Sequence, residues 1–95
     1  MAQTIPNVIV GKAWISLNAA TGIPVGTQFK IQNLHPRVAG ILAEGTKPAN
    51  GSRDGEMING RVYFGSQVIA AAGSLEVWIR SEDDVSRIEI SVATV

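Results

Sequence analysis

The 95-residue sequence contains no cysteine. Disulfide bonds, thiol nucleophiles and cysteine-ligated zinc are therefore excluded. Histidine is nearly absent too, because His35 is the single example and any Ser-His-Asp constellation would have to use it. His35 precedes Pro36, which favours an extended backbone at the end of a strand, and the chain has no G-x-S-x-G motif. We predict a histidine in a loop or an interface, and a protein that is not an enzyme.

Charge is also sparse. Only 17% of the residues are charged, and eight Lys and Arg balance eight Asp and Glu. No net field would steer the protein to nucleic acid or to an anionic membrane, so neither is a predicted partner. The sequence also has no apolar run near the roughly 18 residues of a membrane span, and no signal peptide is visible at its start. Because 45% of the residues are hydrophobic, the thinly charged surface favours packing against partner subunits.

Carboxylates are concentrated at one place, the acidic step Glu82-Asp83-Asp84. Such oxygen ligands suit Ca²⁺ or Mg²⁺, but a calcium loop spaces its ligands around a turn that glycine permits, and these three are adjacent without glycine. The preferred interpretation is a solvated hairpin tip, and the alternative is a weak metal site shared with a neighbouring molecule. No glycine-rich phosphate-binding motif occurs, so no cofactor is predicted.

What the sequence does contain is short runs in which apolar and polar residues alternate. The runs are KAWISLN, TQFKIQNL, RVYF, LEVWIR and SRIEISV, and segments rich in Gly, Pro and Asn separate them. The segment AATGIPVG carries too much Gly and Pro for a helix. The pattern predicts an all-β fold, a single antiparallel β-sandwich or jelly-roll-like domain of six to eight short strands with no substantial helix. This domain spans residues 12–95 and follows an extended N-terminal arm over residues 1–11.

The tryptophans fall on the less apolar faces of their strands. Alternation places Trp78 beside Arg80, and Trp14 beside Ser16, opposite the aliphatic side chains such as Leu75. These indoles are covered by a loop or stacked across strands, or they make an intermolecular contact, or they form a platform for sugars. The arm favours an edge strand that pairs with another chain, and the last strand favours a second open edge. The candidate interface residues are Val8, Ile9, Val10, Trp14, Trp78 and Arg80.

The order of these motifs resembles the small all-β virion proteins of tailed bacteriophages. The motifs are AWISL, GTQFKIQNL, AGILAE, GEMINGRVYFGSQV and a late LEVWIR, and they run from about Ala13 to Val92. The resemblance implies a capsid decoration (cement) protein that stabilises the head, or else a neck, tail or carbohydrate-binding receptor module. It further implies a homo-oligomer, often a trimer, that binds the major capsid protein or other virion proteins and is located in the virion. It carries no catalytic, cofactor-binding or metal residues.

Overall fold

The structure, a computed structural model, describes residues 5–94 of the chain. Within them the chain forms eight strands and one short helix. No helix in this part of the chain has the length and apolar character of a membrane span. The elements in chain order are β1 (Val8–Val10), β2 (Ile15–Ser16), α1 (Leu17–Thr21), β3 (Phe29–Asn33), β4 (Gly40–Glu44), β5 (Glu56–Ile58), β6 (Gln67–Ala70), β7 (Val77–Ser81) and β8 (Ile88–Thr94).

The strands form two antiparallel sheets of four strands each. Their orders are β1-β8-β3-β6 and β2-β7-β4-β5. The pairs β1-β8, β2-β7, β3-β6 and β4-β5 are those of one long hairpin, and the further pairs β3-β8 and β4-β7 form where this hairpin wraps around itself. This is the strand order of a jelly roll. The predicted all-β sandwich is confirmed.

The core lies between the two sheets because alternate residues of the central strands point inward. In β3, for example, Phe29 and Ile31 are buried, whereas Lys30 and Gln32 are half-buried on the outer face. Leu75 was predicted to be buried and is instead 62% exposed, because β7 begins two residues later. The buried core consists of Val10, Leu17, Ile23, Phe29, Ile31, Leu42, Ile58, Val77, Ile79, Ile88, Ile90 and Val92.

The short helix α1 was not predicted. The run KAWISLN contributes only Ile15–Ser16 as strand, and the chain then turns into the helix. The Ser16 hydroxyl accepts the Ala19 N–H at 3.1 Å, which caps the first turn. Gly22 ends the helix with φ 77° and donates its N–H to the Asn18 carbonyl. These caps, together with the burial of one leucine in the core, stabilise a helix that is too short to form alone.

Three predictions about the chain ends and the acidic step need correction. Val8–Val10 pairs with β8 of the same chain, so this part of the predicted arm is an edge strand of the sandwich, and residues 1–4 lie outside the described residues. Strand β8 lies between β1 and β3 and is not an open edge. Strands β7 and β8 belong to different sheets, so Glu82-Asp83-Asp84 connects the two sheets and is not a hairpin tip. Sequence alternation identifies strands but does not assign them to sheets.

Candidate functional site

A loop over residues 45–55 covers the outer face of the β2-β7-β4-β5 sheet. The Trp78 indole N–H donates to the Gly45 carbonyl at 2.8 Å, and the Trp14 indole N–H donates to the Ser52 carbonyl at 3.1 Å. Trp14 is therefore only 3% exposed, and Trp78 is half-buried. For Trp14 the first of the predicted alternatives, cover by a loop, is the one found, and its buried indole offers no platform for sugars. The two tryptophans hold this covering loop onto the sheet.

Arg80 lies on the outer face of its sheet, as alternation predicts, but only 1% of its surface is accessible, which does not fit its predicted place in an interface. Its Nε donates to the Ser81 carbonyl at 2.8 Å, and its Nη1 lies 3.4 Å from the Ser52 carbonyl oxygen. Its Nη2 lies 2.6 Å from the Asp84 carboxylate, which also pairs with Arg53 at 2.9 Å. The hydrogen bonds from Arg80 and then Arg53 hold the pKa of Asp84 below its ordinary value of 3.8. The ion pair between Arg53 and Asp84 thus ties the covering loop to the acidic step.

The acidic step itself is organised by its own hydrogen bonds. The Asp83 carboxylate accepts the Val85 N–H at 2.8 Å and the Ser86 hydroxyl at 3.1 Å. These two bonds, in that order of effect, lower the pKa of Asp83 from 3.8. Residues 5–94 contain no group of three Asp, Glu or His side chains placed to hold a metal ion. The carboxylates of Asp83 and Asp84 shape the connection between the sheets.

His35 lies in the turn that follows β3, as the sequence predicts for a loop histidine. Its Nδ1 accepts the N–H groups of Arg37 at 3.1 Å and Val38 at 2.9 Å. The backbone N–H of His35 donates to the side-chain oxygen of the fully buried Asn33 at 3.0 Å. Because Nδ1 is occupied by the backbone, the imidazole stabilises this turn and is not free at that atom to act as a base.

The run RVYF is not the strand that its alternation predicts, because β6 begins only at Gln67 and the preceding residues form turns. Val62, Tyr63 and Phe64 are 60%, 54% and 98% exposed. We call these three consecutive residues the apolar tip. Adjacent exposed apolar side chains often mark a contact surface on a soluble protein. The signal in the sequence is the occurrence of three large apolar residues in a row between Gly60 and Gly65.

The loop that carries the apolar tip is closed by hydrogen bonds at its base. The Asn59 N–H donates to the Gly65 carbonyl at 2.9 Å, and the Asn59 side-chain amide donates to the Phe64 carbonyl at 2.7 Å. The Tyr63 N–H donates to the Gly60 carbonyl at 2.9 Å. Gly65 has φ 82°, a left-handed conformation that glycine adopts at little cost. The backbone of the loop is therefore fixed although its side chains are exposed.

The same loop is docked on the turn that His35 stabilises. The Arg61 N–H donates to the His35 carbonyl at 2.9 Å, and the Val62 N–H donates to the Pro36 carbonyl at 3.2 Å. Gly60 makes this approach possible, since a Cβ at that position would lie 2.6 Å from the Pro36 carbonyl oxygen. The apolar tip is thus held away from the core on a hydrogen-bonded support.

The remaining predicted interface residues lie in β1. Val10 is fully buried in the core, and Val8 is half-buried against it. Ile9 points outward and is 57% exposed beside Glu89 of β8. Of the six predicted interface residues, Ile9 alone has more than half of its surface accessible, and the structure does not bring it together with Trp14, Trp78 or Arg80.

Function has to be inferred from the surface of the molecule, because the comparisons with known proteins identify no relative. The chain matches no protein family, no curated protein and no solved structure with which it was compared. Its most distinctive surface feature is the apolar tip, in which 98% of Phe64 is exposed on a loop fixed by hydrogen bonds. Such an arrangement suits contact with another macromolecule.

Proposed function

We propose that the protein is a non-enzymatic structural component that acts by assembly, and that it assembles as a capsid decoration protein in the virion of a tailed bacteriophage. The observation that carries the proposal is the apolar tip: three adjacent large apolar side chains are exposed on a support that the fold holds in place. A run of this kind is unfavourable on a free monomer unless it has a function. Contact with other subunits would be the function of this exposed apolar run.

The energetics favour a preformed anchor. Full burial of one large apolar side chain stabilises a contact by about 1.5–3 kcal/mol, and Phe64 begins 98% exposed. Because hydrogen bonds already fix the loop backbone, little conformational entropy is lost when the apolar tip binds. A stable interface buries about 800 Å² on each partner, so the apolar tip serves as the anchor of a larger contact.

The placement in a virion rests on the sequence resemblance together with the fold. Jelly rolls occur in viral capsid proteins and in lectins, and a fold alone does not assign a function. The alternative of a carbohydrate-binding tail module with tryptophan as its platform is less favoured, because Trp14 is buried beneath the covering loop. Decoration of the head, through contacts with the major capsid protein and with other copies of the chain, is the form of assembly that we favour.

Sedimentation velocity over a range of concentrations tests the proposal. The wild-type protein should form a defined oligomer, and Phe64→Ser should dissociate it. Val85→Ser is the matched control, because Val85 is 90% exposed but lies in the connection between β7 and β8, away from the apolar tip. The wild-type chain should also co-sediment with particles of the virus that encodes it. A chain that stays monomeric at all concentrations and does not bind the particles would contradict the proposal.

A further inference from the structure

The open side of the sandwich carries an apolar groove. It lies between β6, the edge of one sheet, and β4 and β5 of the other, and its volume is about 590 Å³. Pockets that bury a small ligand have volumes of roughly 300–1,000 Å³. The groove falls within this range, so it has room for aromatic side chains. The apolar side chains that line it are Ile31, Leu42, Val68, Ile69, Ala70 and Val77.

The rim of this groove is acidic. Glu44, Asp54 and Glu56 line it, and all three are exposed. The ion pairs found among residues 5–94 both use Asp84, so these three carboxylates have no cationic partner in the described part of the chain. The groove therefore suits an occupant that has an apolar end and a positive charge beside it.

The apolar tip has this combination. Arg61 directly precedes it and is exposed, and the exposed Arg37 lies in the turn against which Gly60 packs. Neither arginine takes part in an ion pair within the described residues. Within residues 5–94, two cations without an ion-pair partner flank the apolar tip, and three carboxylates without one flank the groove, of which Glu44 accepts the Leu75 N–H at 2.8 Å.

We propose that the apolar tip of one copy inserts into the groove of a second copy, with Arg61 against the acidic rim. This inference rests on the proposed function and names the partner of the apolar tip. The loop connects β5 to β6, and the groove between these two strands runs along β6 from Val68 to Ala71 and on to Ser74. Because the loop is fixed to Pro36, it does not fold back into its own groove.

The contact joins two different surfaces and is therefore head-to-tail. Each copy offers one apolar tip and one groove, so the contact closes into a ring when the rotation between copies permits and otherwise continues as an open chain. A closed ring of three copies is the trimer that the sequence resemblance implies. The edge strands β5 and β6 lie beside the groove and extend the surface that a neighbour covers.

Charge reversal tests this contact without disturbing the core. Arg61→Glu alters the cation beside the apolar tip, and the double variant Asp54→Lys/Glu56→Lys alters the rim. Each variant alone should raise the dissociation constant of the oligomer by about tenfold or more. Arg87→Glu, an exposed charge reversal in the connection between β7 and β8, is the matched control for Arg61→Glu and should leave assembly unchanged.

Combining the two alterations in one chain is the decisive step. In the variant Arg61→Glu/Asp54→Lys/Glu56→Lys, each copy brings a negative charge beside its apolar tip to the basic rim of its neighbour, so every contact of a ring or an open chain again joins opposite charges. The combined variant should therefore recover the assembly that Arg61→Glu and the rim variant each lose. Thermal melting of each variant at the wild-type temperature would show that all three are folded.

The outcomes separate this inference from the proposed function. If Phe64→Ser dissociates the oligomer but the rim variant assembles normally, or if the combined variant does not assemble, the groove is not the partner and assembly through the apolar tip stands. If the wild-type chain is monomeric and binds no particle, both proposals fail.

Discussion

Replacing Gly60 by alanine should detach the loop that carries the apolar tip from its support. A Cβ there would lie 2.6 Å from the Pro36 carbonyl oxygen and 2.7 Å from the Arg37 Cα, and both contacts are with backbone that cannot rotate away. Overpacking of this kind costs about 1–3 kcal/mol. The N–H groups of Arg61 and Val62 also lose their carbonyl partners, at about 0.5–1.5 kcal/mol for each bond. We expect Gly60→Ala to lower the free energy of unfolding by about 2–6 kcal/mol.

Urea unfolding followed by tryptophan fluorescence measures this loss. The thermal midpoint should fall by at least about 8 °C, given about 4–8 °C per kcal/mol for a domain of this size. Gly11→Ala is the control, because a Cβ at Gly11 meets nothing within 4 Å. That variant should keep or slightly raise stability, by at most about 1 kcal/mol. If Gly60→Ala is as stable as Gly11→Ala, and the amides of Arg61 and Val62 remain protected from hydrogen exchange, the support described for the apolar tip is refuted.

Two further predictions concern the opposite sheet and the acidic step. Trp14→Phe removes the indole N–H that donates to the Ser52 carbonyl, so the free energy of unfolding measured by urea titration should fall by about 1 kcal/mol. An unchanged free energy of unfolding would mean that the covering loop does not depend on this hydrogen bond. Asp83 and Asp84 have folded pKa values below 3.8, so the unfolded state binds more protons and stability should be lost as pH falls below 3.8 through the folded values. The Asp83→Asn/Asp84→Asn variant should lose that part of the acid dependence, and an unchanged dependence would contradict the assignment.

The fold could be predicted from the sequence because the central strands alternate. Side chains such as Ile31 and Val92 recur at every second position and have turn residues on either side, which is enough to identify strands and their inward faces. The same pattern does not indicate which strands share a sheet. For that reason the acidic step was misassigned to a hairpin, and Val8–Val10 was assigned to an arm although it pairs with the last strand.

The candidate site was harder to predict because its residues depend on distant segments. Trp14 and Arg80 do lie on the outer side of their sheet, but the covering loop buries them, and its Ser52, which both side chains contact, is 28 or more residues away in sequence. Periodicity cannot detect such a cover. Conversely, Val62 and Phe64 alternate as in a strand, yet the close approach of Gly60 to Pro36 turns the backbone there and exposes them.

The measurement that most directly tests assembly through the apolar tip is the solution mass of wild-type protein and Phe64→Ser over the same range of concentrations. The wild-type chain should reach a defined oligomer, whereas Phe64→Ser should remain monomeric with an unchanged melting temperature, since the ring is 98% exposed and contributes little to the fold. Equal masses for the two proteins at every concentration would contradict the account.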